Sequence, residues 1–264
     1  MSSAHPKIHP SAVVASDARL AVGVQIGPMA LIGEEVEIGE GTSVGPYCQI
    51  IGPTTIGRDN RFFGQASIGT DPQDLKYRGE RSSLHIGDGN LVREYVTINR
   101  GTEGGGGKTV IGNGNLVMTY VHIAHDCFIG NHTILANAAT LAGHVAIEDY
   151  ATVGAHSGVH QFCRVGEHAF IGGYSVITKD VLCFVKTVGA RTRAKNYGIN
   201  TVGLARRGFS PERIEALKKA YRRLFQKGQT VQEGVERVRR ELEITDDIEK
   251  LLHYVETSRR GFIR

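Results

Sequence analysis

The sequence contains no tryptophan, seven prolines and four cysteines in 264 residues. The cysteines are scattered and form no Cys-x-x-Cys pair, so we expect small buried thiols in a reducing compartment. No stretch approaches the ~20 apolar residues that a membrane-spanning helix requires. The first residues also lack a basic segment followed by a long apolar run. We therefore predict no secretion signal, no stable membrane insertion and a cytoplasmic location.

A large excess of charge is absent as well. The 31 basic and 27 acidic residues leave a net charge of +4, so no nucleic-acid partner is predicted. Glycine, in contrast, is abundant, and 34 glycines in an otherwise ordinary composition indicate many tight turns in a regular architecture. The length suits one large domain, or one domain with a small appendage.

Apolar residues recur at every sixth position over two thirds of the chain. They do so from Ile8 to Ile68, return in phase at Ile86 after an interruption, and then run from Ile111 to Ile177 without a miss. The next residue is often glycine, and the fifth residue of each hexad is usually small or β-branched. Neither the 3.6-residue period of a helix nor the alternation of a simple strand explains this pattern.

A hexad with one aliphatic and one small inward residue is typical of a short strand followed by a corner. Three such strands close a triangular coil of about 18 residues, and stacked coils pair equivalent strands ~4.8 Å apart. The glycine after the aliphatic residue is expected to supply backbone angles that a side chain would hinder. The predicted fold is mainly β, a parallel β-helix of hexapeptide repeats.

Two segments interrupt the hexads. Residues 70–85 leave the solenoid, and because Ile68 and Ile86 are 18 residues apart, we expect the chain to return in phase after one coil. Residues 101–109, GTEGGGGKT, shift the phase by one. This run lacks the spacing of a phosphate-binding P-loop, so we interpret it as a flexible loop. Loops that leave a rigid scaffold are nevertheless where sites tend to be built.

After about residue 185 the hexads stop and three helix starts follow. The sequence SPE at 210–212 predicts a helix that runs to about Gln226. TVQE at 230–233 forms a capping box, and TDD at 245–247 begins a third helix. We predict a β-helix over residues 1–190, with loops 70–85 and 101–109 inserted, and a linker with a C-terminal helical domain over residues 191–264.

Four of the eleven histidines share one predicted face of the prism. The hexads that open at Ile123, Leu141 and Val159 are 18 residues apart, so they stack. The four histidines on or beside these hexads are His122, His125, His144 and His160. None occupies an inward position, so a role as core packing is disfavoured, although a solvated face remains an alternative.

Imidazoles stacked in neighbouring coils would repel one another if all were charged. Such a column favours either a ligand or neutral histidines that act as bases. Asp126 follows His125 directly and is placed to orient its imidazole. The outward histidines His132, His156 and His168 are expected to lie on solvated surface.

A basic stretch lies between Asp180 and Glu212, where no acidic residue occurs. Its cations are Lys186, Arg191, Arg193, Lys195, Arg206 and Arg207. A basic linker is one interpretation. Beside a histidine column, the sharper hypothesis is a phosphate-rich substrate or an acidic protein partner.

The hexads resemble those of the hexapeptide-repeat acyltransferases, which form left-handed β-helices and assemble as trimers. Within that superfamily, six stretches are similar to the UDP-N-acetylglucosamine O-acyltransferases of lipid A synthesis. They are QDLKYRGE at 73–80, IGDGNLVREYVTINRGT at 86–102, HIAHDC at 122–127, LANAATLAGHV at 135–145, VHQF at 159–162 and GLARRGFS at 203–210. The resemblance spans nearly the whole chain and implies a left-handed parallel β-helix, a small C-terminal α-helical bundle and a homotrimer.

The resemblance also implies an activity. A 3-hydroxyacyl chain would move from acyl carrier protein to the glucosamine 3-hydroxyl of UDP-N-acetylglucosamine, the first step of lipid A biosynthesis, without metal or cofactor. His125 is implied as general base, Asp126 as support for its imidazole, and the backbone N–H of Gly143 as the oxyanion donor.

The resemblance further implies a set of residues that bind the substrates. Those implied to position the nucleotide sugar and the acyl donor are Asp74, Lys76, His122, His144, His160 and Gln161. Asn200, Arg206 and Arg207 are implied to hold the UDP portion. Gly173 matches the position that forms the floor for the acyl chain.

This sequence departs from the family pattern at three places. Val202 stands where some relatives have glutamate, LCF at 182–184 replaces a proline-containing turn, and the region around Arg191 is locally lengthened. The departures bear on the nucleotide contacts, the C-terminal connection and the acyl length.

Three other functions compete with this one. The N-acyltransferase later in the same pathway has an additional N-terminal uridine-binding domain, whereas the hexads here begin at Ile8. Hexapeptide-repeat carbonic anhydrases bind zinc through an H-x4-H pair, but this chain has H-x2-H at 122–125 and H-x3-H at 156–160. A purely structural solenoid is the third alternative, and it would bind neither substrate.

Overall fold

The computed structural model describes residues 5–189 and 194–264. Short strands form three sheets, which are the faces of a triangular prism. The strands of the first sheet are Lys7–Ile8, Gln25–Ile26, Ser43–Val44, Arg61–Phe62, Leu91–Val92, Leu116–Val117, Ile134–Leu135, Thr152–Val153, Phe170–Ile171, Val185–Val188 and Lys195–Ile199. Those of the second sheet are Val13–Val14, Leu31–Ile32, Gln49–Ile50, Ser67–Thr70, Thr97–Asn99, His122–Ile123, Thr140–Leu141, Gly158–Val159 and Val176–Ile177. Those of the third sheet are Arg19–Leu20, Val36–Ile38, Thr54–Ile56, Ser83–Ile86, Lys108–Ile111, Phe128–Ile129, Ala146–Ile147 and Arg164–Val165.

The hexad residues form the core, as their period predicts. Ile123 pairs with Leu141, which pairs with Val159, and all three are at most 2% exposed. Every pairing within the solenoid is parallel, and the fold is the predicted left-handed β-helix of hexapeptide repeats. Its hand is an exception to the right-handed crossover that parallel strands usually follow.

We name the three corners after the sheet that precedes them. At all three corners, the fourth residue of most hexads adopts a left-handed backbone: φ is 59° at Asp126 and 62° at His144 in the second corner. In the third corner, Tyr150 and His168 have φ of 59° and 57°. Side chains in this conformation stack from coil to coil, so each corner presents a column of successive fourth-position residues.

Most glycines that follow the aliphatic residues serve a different purpose from the one expected, although Gly69, with a φ of 74°, does have the left-handed backbone. The φ of Gly39 and Gly45 is not left-handed, so backbone freedom is not the reason for glycine there. A Cβ on Gly39 would lie 2.6 Å from the backbone of Gly57, and one on Gly45 would lie 2.1 Å from that of Phe63. Glycine is needed because the next coil passes too close for a side chain.

The first insertion rejoins the prism on a different face from the one expected. Ile86 pairs with Ile56 and Ile111 in the third sheet, not with Ile68 in the second. The loop therefore adds two hexads to the second corner and keeps the phase without returning to the same face. The second insertion falls at the same corner one coil later, and it shifts the phase as predicted.

In the part of the chain that the structure describes, four helices follow the solenoid: α1 (Thr201–Arg206), α2 (Pro211–Leu224), α3 (Val231–Glu241) and α4 (Asp246–Thr257). The three predicted starts are confirmed, since Ser210, Thr230 and Thr245 each cap the helix that follows with a side-chain oxygen. Helix α2 ends two residues before the predicted Gln226. Both α1 and the antiparallel strand Lys195–Ile199 lie in the predicted linker and were not predicted.

The prediction that His168 lies on solvated surface is wrong. It is 7% exposed and stacks between Tyr150, at a centroid distance of 4.7 Å, and Phe184, at 5.8 Å. The edge of Phe209 contacts it from the segment between α1 and α2, at 5.0 Å. Burial lowers the pKa of His168, although the nearby Glu167 carboxylate opposes that shift. We call His132, Tyr150, His168 and Phe184 the third-corner column.

The C-terminal residues close one end of the solenoid. The backbone of Asp180 donates to Gly261 O at 3.0 Å and accepts from Ile263 N at 2.9 Å. Ile263 is 6% exposed and packs on the solenoid core. Asn196 donates to Ile263 O at 2.7 Å, which joins this tail to the antiparallel strand.

The predicted domain boundary at residues 190 and 191, together with Arg191 and Arg193, lies outside the described residues. The division into two domains stays a prediction. No helix in the described part of the chain is long and apolar enough to cross a membrane.

Candidate active site

The second corner places a histidine and a carboxylate side by side. His125 Nδ1 lies 2.7 Å from Asp126 Oδ2, and the Asp126 side chain is 1% exposed. The left-handed backbone of Asp126 turns its carboxylate back towards the preceding residue. With Nδ1 donating to the carboxylate, the Nε2 atom of His125 keeps its lone pair and can accept a proton.

The insertion at 101–109 fixes the Asp126 carboxylate from the other side. The backbone N–H of Thr102 donates to Oδ1 at 2.8 Å, and the Thr102 hydroxyl donates to Oδ2 at 2.6 Å. The hydroxyl of Thr109 accepts from the Asp126 backbone N–H at 2.8 Å. A Cβ on Gly105 would lie 2.0 Å from Asp126 Cγ. The interpretation of this segment as merely a flexible loop is wrong, because its residues pack against the carboxylate.

His144 stacks in the next coil. Its ring packs edge-on to His125 at 5.1 Å between centroids and flat against Phe162 at 4.3 Å. Burial lowers the pKa of His144, and the charge of Asp126 opposes the shift in part, as does that of Asp74 from loop 70–85 to a smaller extent. A lowered pKa favours the neutral imidazole.

His122 is a second histidine near His125 whose pKa is lowered. It is half-buried on the outer side of the second sheet, and its Nδ1 lies 2.7 Å from Thr97 Oγ1. Burial lowers the pKa of His122, and repulsion from His125 adds to the effect. Of the four histidines predicted to share this face, His125 thus lies close to both His144 and His122, whereas no contact joins His160 to the other three among the described residues.

Gly143 makes room for the His125 imidazole. A Cβ at this position would lie 2.7 Å from His125 Nε2 and 2.6 Å from Cε1. Among residues 5–189 and 194–264, the Gly143 N–H donates a hydrogen bond to no acceptor. An N–H donor without an acceptor therefore lies in the same corner as the His125 imidazole.

The other residues predicted for this site lie in loop 70–85 and in the coil after Gly143. Asp74 is half-buried and Lys76 exposed in loop 70–85, where the Lys76 N–H donates to Asp74 Oδ1 at 2.9 Å. His160 and Gln161 lie one coil beyond Ala142 and Gly143, and both are exposed. Arg260 Nη2 lies 3.5 Å from His160 Nδ1.

Four predicted site residues are not brought to this corner within one chain. Gly173 is exposed in the first corner, where a Cβ added to it would meet the backbone of Ala155. Asn200 caps α1 and donates to His168 O at 3.1 Å in the third corner. Arg207 also lies there, and Arg206 precedes it, exposed, at the end of α1.

Arg207 is held in place by the third-corner column. Its guanidinium carbon lies 4.9 Å from the centroid of the Tyr150 ring, and its Nη2 donates to His132 O at 3.3 Å. The cation is thereby oriented with no carboxylate paired to it among the described residues, which leaves its charge available to an anion.

His125, Asp126 and His144 each offer one nitrogen or oxygen atom, and these three atoms lie within 4.8 Å of one another. These three residues are where a metal ion could bind. The hydrogen bonds from Thr102 and His125 already occupy the Asp126 carboxylate, so the absence of a metal stays our prediction.

Four contact residues of the site escaped the sequence analysis: Thr102, Gly105, Thr109 and Phe162. Thr102 ends the motif IGDGNLVREYVTINRGT, so its place in the resemblance was the available signal. Phe162 ends the motif VHQF and stands 18 residues after His144, so the motif and the period were signals for it as well. Gly105 and Thr109 carry no such signal, because contacts between an aperiodic loop and a corner depend on the insertion's own conformation.

Comparisons with known proteins agree with this architecture. A family model described as Udp N-acetylglucosamine O-acyltransferase, domain 2, matches residues 180–263. A second, described as bacterial transferase hexapeptide (six repeats), matches residues 108–143.

Full-length relatives extend the match to nearly the entire chain. The acyl-[acyl-carrier-protein]–UDP-N-acetylglucosamine O-acyltransferase of Xylella fastidiosa is 51% identical over 257 residues, which is 97% of each chain. The solved UDP-N-acetylglucosamine acyltransferase of Francisella novicida is 43% identical with a TM-score of 0.93, and the match covers 97% of this chain and 94% of that one. The Arabidopsis structure of that name is 34% identical with a TM-score of 0.85, over 97% and 100%. This chain is an enzyme of the acyl-[acyl-carrier-protein]–UDP-N-acetylglucosamine O-acyltransferase family.

Proposed function

We propose that the protein transfers a 3-hydroxyacyl group from the thioester of acyl carrier protein to the glucosamine 3-hydroxyl of UDP-N-acetylglucosamine, the first step of lipid A biosynthesis. The relatives' names give the donor and the acceptor. The observation that carries the chemistry is the His125–Asp126 pair, clamped by Thr102 with Nε2 left free.

In this step His125 is the general base. Its Nε2 takes the proton of the sugar hydroxyl as the oxygen attacks the thioester carbonyl. Asp126 stabilises the imidazolium that forms, and the Gly143 N–H donates to the oxyanion. When the carbon–sulfur bond breaks, the proton passes from His125 to the leaving thiolate. The products are the sugar ester and the free thiol of the carrier protein, and the step uses no cofactor or metal.

The other corner residues position the two substrates. Neutral His122 and His144 can donate or accept hydrogen bonds without repelling the imidazolium of His125. Asp74 and Lys76 contact the sugar nucleotide from loop 70–85, and His160 and Gln161 complete this wall. Gly173 forms the floor of the acyl site, where the absence of a side chain leaves room for a longer chain.

The active enzyme is a homotrimer with sites between subunits. Asn200, Arg206 and Arg207 serve the UDP portion, yet they lie at the third corner while His125 lies at the second. A neighbouring copy would bring one of its own corners to His125. The outer side of the first sheet supports such packing, because the apolar side chains of Leu91, Leu116 and Ile134 follow one another there, and Phe170 comes after Thr152. Light scattering that finds an active monomer would contradict the trimer.

The proposed domains are residues 1–190 and residues 191–264. The protein acts in the cytoplasm without stable membrane insertion. This location suits the substrates, because acyl carrier protein and the nucleotide sugar are both water-soluble.

Mass spectrometry of the product tests the reaction. Purified protein is incubated with UDP-N-acetylglucosamine and a panel of acyl carrier protein thioesters of different length. We expect one acyl chain per sugar, attached as an ester that mild alkali removes. Replacing the acceptor by its 3-amino analogue, which would give an alkali-stable amide, tests whether the enzyme instead prefers nitrogen at sugar carbon 3. No acyl transfer to UDP-N-acetylglucosamine with any donor would contradict the proposed reaction.

A further inference from the structure

Arg100 is a buried cation next to the active site that the proposed chemistry does not use. It follows the second-sheet strand Thr97–Asn99 and is 7% exposed. Its Nη1 donates to Gly69 O at 2.6 Å and to Gly52 O at 3.1 Å. Its Nη2 donates to the Asp71 carboxylate and, at 3.3 Å, to the hydroxyl of Tyr77.

These contacts tie loop 70–85 to the solenoid at two places. Asp71 lies at the start of the loop and Tyr77 in its middle, and both meet the same guanidinium. The backbone of Tyr77 donates to Asp74 O at 3.0 Å, which closes a turn that contains Asp74 and Lys76. Arg100 is therefore one residue away, through Tyr77, from the two loop residues proposed to bind the sugar nucleotide.

Asn99 reinforces the same attachment. It is 2% exposed, and its amide donates to Thr70 Oγ1 at 3.0 Å and to Asp71 O at 2.8 Å. Only Gly101 then separates Arg100 from Thr102, which donates twice to the Asp126 carboxylate. Residues 99–102 thus contact loop 70–85 at one end and the His125–Asp126 pair at the other.

The guanidinium is suited to this task in a way that lysine is not. Its planar group donates in several fixed directions at once, whereas an ammonium is a single point charge on a flexible stem. A buried cation is also costly to leave partly unpaired. The side chain therefore holds its acceptors in one arrangement, and a change to lysine releases some of them.

We propose that Arg100 is a positioning residue that sets where Asp74 and Lys76 stand relative to the His125–Asp126 pair, and thereby controls the binding of the UDP-sugar. This proposal rests on the proposed function for the identity of the substrate. Its physical content is the attachment of loop 70–85.

The test compares the variants Arg100→Lys and Tyr77→Phe with the wild-type protein, each in the oligomeric state in which it is purified. Steady-state kinetics are measured with UDP-N-acetylglucosamine and the acyl donor varied separately. We expect Arg100→Lys to raise the KM for the UDP-sugar by about ten-fold or more, which corresponds to one charge-assisted hydrogen bond, and to change the KM for the acyl donor by less than about two-fold. Tyr77→Phe removes one neutral contact and should show the same selectivity with a smaller effect.

The control variant is Arg81→Lys. Arg81 stands in the same loop and pairs with Glu35, but its side chain is 76% exposed, so the exchange should leave both KM values near wild type. If Arg100→Lys lowers kcat and the melting temperature with both KM values unchanged, Arg100 is structural only and the proposal is wrong.

Hydrogen–deuterium exchange separates this proposal from the proposed function. Amides of residues 71–77 should exchange faster in Arg100→Lys than in wild type, while those of the second-sheet strands do not change. Unchanged exchange at 71–77 in an enzyme that acylates the UDP-sugar would overturn the positioning role. A wild-type protein without that activity, but with the faster loop exchange in the variant, would overturn the proposed function and support the attachment of the loop.

Discussion

The second and third corners of the prism carry the same residue type at the same hexad position. His144 and His168 both have a left-handed backbone, both stack in a column, and burial lowers the pKa of both. Their surroundings differ: His144 faces His125 and the Asp126 carboxylate, whereas His168 lies between Tyr150 and Phe184 under Phe209.

The difference shows where the function of this solenoid resides. The hexad supplies a regular column of side chains at every corner. At the second corner an insertion brings Thr102 and Gly105 against the column and fixes a carboxylate. At the third corner the ring of Phe209, from the segment between α1 and α2, covers the column. A histidine thus becomes a candidate catalytic residue or a packing residue according to the segment that meets its corner.

The strongest test of this contrast exchanges one histidine in each corner. His125→Ala should lower turnover by ~10²–10⁴-fold, the usual contribution of a general base, while the melting temperature stays near wild type. His168→Ala should instead reduce the free energy of unfolding by about 2–4 kcal/mol, because it leaves a cavity between aromatic rings. Activity assays and thermal unfolding are run on both. Near-normal turnover of His125→Ala would reassign the base.

A second test concerns the insertion that clamps Asp126. Gly105→Ala places a methyl group where the carboxylate lies and should lower turnover by about a hundred-fold, since small misplacements of catalytic groups have effects of that order. Its matched control is Gly104→Ala, where an added Cβ meets nothing within 4 Å. Equal activities of the two variants would mean that the clamp does not orient the pair.

Alanine substitutions of Arg206 and Arg207 test whether the third corner also contributes to substrate binding. Arg206→Ala and Arg207→Ala should each raise the apparent KM for the UDP-sugar, the carrier protein or both, by about ten-fold, with little change in melting temperature. The control is Arg213→Ala, which breaks two 2.9 Å hydrogen bonds to Asp247 and should affect stability rather than KM. If neither KM moves in the first two variants, the basic stretch is only a solvated linker.

The smallest expected effect is a pH dependence of stability. Burial holds the pKa of His168 below its ordinary 6.5, with Glu167 and Asp247 opposing the shift and Arg207 and Lys250 adding to it. Below pH 6.5 the unfolded chain binds a proton that the folded chain excludes, so stability is lost as pH falls through this window. His168→Phe should flatten the decline in melting temperature between pH 7.5 and 5.5. A decline as steep as that of wild type would assign it to other groups.

Much of the fold follows from the sequence because the hexad is a strict period. It predicts the core positions and the stacking of Ile123, Leu141 and Val159, and so the histidine column. It does not predict the face on which Ile86 returns, because any insertion of a multiple of six keeps the phase. It also cannot predict that His168 is buried, since the residues that cover it belong to segments outside the repeat.

The site was predicted in part for the same reason. His125, Asp126, Gly143 and His144 occupy neighbouring corner positions, and the period brings them together. The clamp by Thr102 joins residues 24 apart across an aperiodic loop. Asn200 and the two arginines lie at another corner of the chain, and the period gives no relation between them and His125.

The closed end of the solenoid has a consequence for association. A stack of parallel coils ends in unpaired strand edges, which are templates for edge-to-edge growth. Here the first sheet ends in the antiparallel strand Lys195–Ile199, whose outer edge does not match the register of another parallel coil. Ile263 fills the core beside it, and the backbone of Asp180 is already paired with the tail. The last coil is thereby terminated by its own chain, so solenoids cannot join end to end into fibres at this side.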